Sequence, residues 1–166
     1  MKLFSKLISI IASLGVLFSC NNENIDGESR GQFANRTNFI DLTIKDNAGN
    51  NLLFHKTPDC ITEKDITVFY KNRNSELVPV CNPNLTHSRG YVFSENDIRL
   101  YLILPDKNKT ISFTFVKFKD STICEFKSEF CISKNNISLK NIWFENILIW
   151  NEKDKVLKAE IILPIL

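Results

Sequence analysis

The side chains best suited to covalent or metal chemistry are Cys60, Cys81, Cys124, Cys131, His55 and His87. In an exported chain an even set of four cysteines predicts disulfides, because oxidising compartments preserve them. Three pairings are open to four cysteines. One has a geometric basis, in the segment Cys124-Glu125-Phe126-Lys127-Ser128-Glu129-Phe130-Cys131. Folded back around Lys127-Ser128, it sets its two cysteines opposite each other. Hydrogen-bonded antiparallel partners have Cα atoms ~5.5 Å apart, within the span of a disulfide. Cys60–Cys81 then follows by exclusion and would contribute ~3 kcal/mol through loop closure. The alternative is that some or all of the four are reduced, buried thiols. A zinc site would draw on His55 with Cys60 and Cys81 with His87. The close ligand pairs of zinc sites are missing, however, so no metal or other cofactor is expected.

Catalytic constellations are equally sparse. The chain holds no G-x-S-x-G, no P-loop and no H-E-x-x-H, and neither histidine has a serine or cysteine placed as in a triad. Glu145 and Glu160 could meet across a final hairpin as a carboxylate pair, although outward charges on strands account for them equally well. The expectation is a non-enzymatic protein. An envelope hydrolase with a site invisible to motifs is the alternative.

Aromatic side chains are the one lead to a binding surface. Phe69 and Tyr101 fall on the polar-alternating side of their segments, and Trp143 and Trp150 flank a run that is apolar on both faces. Exposed rings of this kind could stack on sugars or seat a protein partner. For the two tryptophans, residence in a sandwich core is the competing reading.

The elements that must carry these residues read as strands. Ile40, Leu42 and Ile44 alternate with Asp41 and Thr43, and Ile66, Val68 and Tyr70 with Thr67, Phe69 and Lys71. The same holds for Ile98, Leu100, Leu102 and Leu104, for Ile111, Phe113 and Phe115, and for Leu157, Ala159, Ile161, Leu163 and Ile165. A period of two puts alternate side chains on opposite faces of a strand. Turn-forming stretches separate the runs: Asp46-Asn47-Ala48-Gly49-Asn50, Pro105-Asp106-Lys107-Asn108 and Asn151-Glu152-Lys153-Asp154. No segment carries a helical stripe. The fold class is therefore all-β, an antiparallel β-sandwich of immunoglobulin-like arrangement, over residues 37–166.

The first 19 residues are of another kind. Lys2 and Lys6 precede Leu7–Phe18, an apolar run of 12 residues, shorter than the ~20 a membrane-spanning helix needs. This is the pattern of a secretory signal. With those two lysines gone from the 21 basic residues, 19 remain against 19 acidic ones. Such a balance lacks the cationic footprint of a nucleic-acid binder. Residues 21–36 are polar and read as a tether, with a reach of roughly 20–24 Å.

The run ends in Leu17-Phe18-Ser19-Cys20, which resembles the lipobox of bacterial lipoproteins. Leu17 stands for the branched aliphatic, Ser19 for the small residue before the cut and Cys20 for the thiol; Phe18 departs from the usual small residue. The resemblance implies cleavage before Cys20, diacylglycerol on its sulfur and attachment to membrane lipid, most simply at an outer membrane. Glu23, Asp26 and Glu28 resemble the acidic surface-export signal of Bacteroidota lipoproteins. The opening Asp46-Asn47-Ala48-Gly49 turn followed by Leu52-Leu53, with a closing hairpin between Trp150 and Val156, resembles small Bacteroidota lipoproteins with immunoglobulin-like domains. Asp120-Ser121-Thr122 resembles a short O-glycosylation motif of that group, with Ser121 the acceptor it implies. Together these resemblances imply a lipid-anchored envelope module whose partner is a glycan or an envelope protein.

Overall fold

The computed structural model describes residues 35–81 and 87–163. The leader, Cys20, Glu23, Asp26, Glu28 and residues 164–166 lie outside the described residues. Asn35–Arg36, expected as the end of the tether, form strand β1 instead.

Among the described residues ten further strands follow. They are β2 (Phe39–Lys45), β3 (Ile66–Lys71), β4 (Leu77–Pro79), β5 (Tyr91–Phe93), β6 (Ile98–Tyr101) and β7 (Ile111–Phe118). The last four are β8 (Ile123–Ile132), β9 (Asn136–Phe144), β10 (Ile147–Asn151) and β11 (Lys158–Ile162). One sheet runs β1-β9-β8-β7-β3-β4, with β10 sharing the free edge of β9; the other runs β11-β2-β6-β5. The expected all-β sandwich is what forms. Most pairs are antiparallel, while β1–β9 and β11–β2 are parallel. Ile40, Leu42, Ile44, Leu100 and Ile161 from one sheet share a core with Val68, Val116, Phe126, Phe130 and Ile142 from the other.

Strand β7 meets the core with its polar side. Its apolar alternation suggests Ile111, Phe113 and Phe115 inward, yet Ser112 and Thr114 are the buried residues, and Ile111 and Phe113 face water. The cause is the chain crossing from β6 to β7. The Ile103 N–H donates to Thr114 Oγ1 (2.9 Å) and the Ile103 carbonyl accepts from Ser112 Oγ. Backbone groups withdrawn from water require such partners, and the hydroxyls on the inner face of β7 supply them.

The disulfide expectation is overturned by β8. Cys124 and Cys131 lie on one continuous strand, about 23 Å apart at ~3.3 Å per residue, against a Cα limit near 7 Å for a bridge. Seven positions is also an odd number, so Cys124 points into the core and Cys131 outward. Cys60, half-buried, and Cys81, exposed, are free thiols as well. Burial, reinforced by Glu145, pushes the Cys124 thiol up to about 11. Its thiolate, the reactive form, is then rare at neutral pH. With Cys20→Ser and no reductant, an Ellman titration should count three thiols in the folded chain and a fourth after unfolding. A total below four in denaturant would restore a disulfide, and four thiols already reactive in the folded chain would overturn the burial of Cys124.

Candidate functional site: the outer face of the larger sheet

The two outer faces of the sandwich differ in chemistry. On the four-stranded sheet, Arg99 grips Asp41 through Nε and a terminal nitrogen (2.8 and 3.0 Å). Lys45 meets Glu160 at 2.7 Å and Lys158 meets Asp97 at 3.2 Å. Charges there are paired off. Asp97 is held below the usual carboxylate range, mainly by the Ser94 hydroxyl.

The seven-stranded sheet instead presents rings. Strand pairing sets Leu148, Trp143, Lys127 and Phe113 side by side across β10, β9, β8 and β7. Two residues along, Glu125, Phe115, Phe69 and Pro79 form a second row across β8, β7, β3 and β4. At ~4.8 Å per strand the two rows together extend roughly 24 Å across the sheet. Phe113 is 41% and Leu148 50% exposed, while Phe69 and Trp143 are half-buried. Phe115 is buried but packs on this outer face, apart from the core residues.

Cations lie on these rings. Lys127 Nζ sits 4.7 Å from the Trp143 ring centre and Lys71 Nζ 4.7 Å from that of Phe115, the arrangement that the negative face of an aromatic ring favours. Glu129 on the same face is held by Asn141 (2.7 Å) and Lys140 (3.0 Å). Asn141 first and Lys140 second keep its carboxyl below the usual range.

Local backbone makes this display. β9 and β10 join through Glu145-Asn146, both in the left-handed region (φ 47 and 68), as a two-residue hairpin of matching twist requires. Asn tolerates that conformation. Glu145 is secured there because its carboxylate accepts the Glu125 N–H at 2.6 Å. The hairpin fixes Trp143 opposite Leu148.

The structure brings together two of the four aromatics expected at a surface, Phe69 and Trp143. Trp150 is a correction: it is 6% exposed, in the core, with Nε1 donating to the Val156 carbonyl at 2.8 Å. Tyr101 lies on the opposite sheet, stacked on His87 (ring centres 4.2 Å apart), with its hydroxyl 2.7 Å from His87 Nε2. A turn closed by the Gly90 N–H on the His87 carbonyl, with Gly90 at φ 80, places that histidine. His55 sits 2.6 Å from Glu95, remote in partner from His87. Among the described residues no group of three or more His, Cys, Asp or Glu could hold a metal. Glu145 and Glu160 belong to different sheets, so the hairpin does not join them. Ser121 occupies the β7–β8 turn, where its hydroxyl accepts the Phe118 N–H and donates to the Thr122 carbonyl.

The chain matches no family model, no curated protein and no solved structure.

Phe113, Phe115, Lys71, Lys117 and Lys127 were not among the residues expected at a site. Their signal was present as alternation in β3, β7 and β8, but choosing the outward set on β7 required knowing that Ser112 and Thr114 serve Ile103. A cleft of about 350 Å³ also opens beside Glu63, Thr67, Val80, Arg89 and Tyr91. Within its lining the Tyr91 hydroxyl donates to the Glu63 carbonyl at 2.7 Å, in the turn that the Thr62–Asp65 capping box closes. No alternation in the sequence foretold it.

Proposed function

We propose that this chain is an exported, lipid-anchored binding module of the cell envelope, without catalytic activity, that holds a glycan. The observation that carries this reading is the set of rings on the outer face of the seven-stranded sheet, Phe113 41% exposed, Phe69 and Trp143 half-buried and Phe115 buried among them. Contiguous apolar side chains left on an outer face, rimmed by polar ones, are a feature of binding surfaces. The cores of protein–protein interfaces are depleted in lysine and glutamate. Here Lys127, Lys71, Glu125 and Glu129 are interleaved with the rings. A sugar chain suits that mixture, since its C–H faces stack on rings while its hydroxyls bond to the charged groups between them.

The cleft gives the hydrolase alternative little support. Its lining holds a single carboxylate, Glu63, already 3.4 Å from Arg89, whereas most glycoside hydrolases use a carboxylate pair. The membrane attachment in this proposal rests on Leu17-Phe18-Ser19-Cys20.

Affinity electrophoresis in gels containing a panel of neutral and acidic polysaccharides tests the reading. Retardation by at least one glycan is expected, weakened about tenfold, or ~1.4 kcal/mol, by Phe113→Ser. Phe113 is 41% exposed and lies outside the core, so the variant should fold. Mobility unaffected by every polymer, or retardation indifferent to Phe113→Ser and Trp143→Ser alike, would refute it.

A further inference from the structure

We infer that the glycan held on the seven-stranded sheet is acidic, its carboxylates or sulfates meeting Lys71, Lys117 and Lys127. This rests on the glycan-binding reading above and specifies its ligand class.

The inference comes from the charge left over on that face. β3 contributes Lys71, β7 contributes Lys117 and β8 contributes Lys127, each on the outward side of its strand. Lys117 stands between Thr67 and Ile123 in the pairing. Among the described residues none of the three lies at ion-pair distance from a carboxylate, whereas Lys45, Lys109, Lys119, Lys140 and Lys158 all do. The acids on the face do not cancel them. Glu129 is bonded to Lys140 and Asn141 and reaches Lys127 only through longer-range attraction, so that with Glu125 it does not balance three ammonium groups and Lys140. The opposite outer face, by contrast, is closed by its own ion pairs.

Position matters as much as number. Lys127 and Lys71 rest over Trp143 and Phe115, so each covers a ring that a sugar would stack on. A neutral glycan that displaces both cations offers them only hydroxyl oxygens, weaker acceptors than an anion. An acidic one gives each displaced ammonium a carboxylate or sulfate at the edge of the ring just vacated. The lysine stems also cover apolar surface while the face is empty. Opposite charge between partners speeds encounter and sets specificity, and it weakens with salt.

The full chain is run in affinity gels containing polygalacturonate or chondroitin sulfate, each beside its neutral form, carboxyl-reduced or desulfated. Polyglutamate and phosphatidylglycerol vesicles serve as controls for charge alone. At low salt at least one acidic polymer is expected to bind tenfold or more tightly than its neutral form. That preference should vanish in the triple variant Lys71→Gln, Lys117→Gln, Lys127→Gln and fall steeply between low and high salt. Phe113→Ser should weaken both the acidic and the neutral forms. Melting temperatures of both variants check that they fold. Equal binding of acidic and neutral forms, unchanged by the lysine variant, would overturn the acidic specificity and leave a glycan module standing. No binding to either pair would overturn the acidic specificity, and no binding to any polymer of the wider panel would remove both readings. Equally tight binding to polyglutamate or vesicles, insensitive to Phe113→Ser, would reduce the face to a charge patch and overturn the inference.

Discussion

Phe126→Ala is expected to lower stability by ~3–5 kcal/mol, the range for deleting a fully buried phenylalanine and leaving its cavity. Phe126 is 0% exposed and sits midway along β8, itself flanked by β7 and β9. Its ring centre is 5.0 Å from that of Phe144, so the substitution also removes an aromatic pair. Both sheets converge on it, and β8 cannot collapse into the void without dragging two neighbours out of register. Domains of this size have ~5–15 kcal/mol in total, so the variant should lose roughly 10–20 °C in Tm. Phe113→Ala, one strand away on the outer face, should cost under about 1 kcal/mol. Thermal melts of the two variants, followed by circular dichroism, check the contrast. Comparable losses would contradict the assignment of Phe126 to the inner and Phe113 to the outer face, and a reversed order would mean that the faces are exchanged.

That pair of substitutions bears on what the sequence could and could not reveal. Strands β2, β3, β6, β7 and β11 were legible because a period of two is the direct imprint of a sheet with one buried face. β8 was misread as a hairpin because Lys127-Ser128 interrupts its apolar residues with a polar pair. Ser128 points inward, opposite Ser112, so one polar residue on the core side broke the pattern at the strand's midpoint. The same pair of strands hid the face with the rings. Polarity alone turns Ser112 and Thr114 outward; the unsatisfied backbone of Ile103, a tertiary fact, turns them in. Trp143 and Trp150 were indistinguishable within a run apolar on both sides. A two-residue turn at Glu145-Asn146 divides them, sending one to the surface and the other to the core. The Glu63–Arg89 cleft joins residues from separate segments, a proximity that no local pattern encodes.

The proposed anchor makes the other large prediction. Diacylglycerol transferred to the Cys20 sulfur places two acyl chains on the processed N-terminus. Each buried methylene contributes ~0.8 kcal/mol, so one chain holds a protein marginally and two hold it nearly irreversibly. Oxygen or hydrogen in place of sulfur gives the transferase no nucleophile, so attachment should be lost outright instead of weakened. Cells fed labelled palmitate should incorporate label into the native chain and none into Cys20→Ala. The membrane-bound fraction should fall from nearly all to nearly none. Cys81→Ala and Cys131→Ala, at exposed thiols within the domain, should leave both readouts unchanged, which separates lipidation at position 20 from palmitoylation elsewhere. Label persisting on Cys20→Ala would defeat the anchor, and with it the placement of the aromatic face in the cell envelope. The geometry of that face would stand, because it derives from strand pairing between Ile66 and Asn151 and not from the leader.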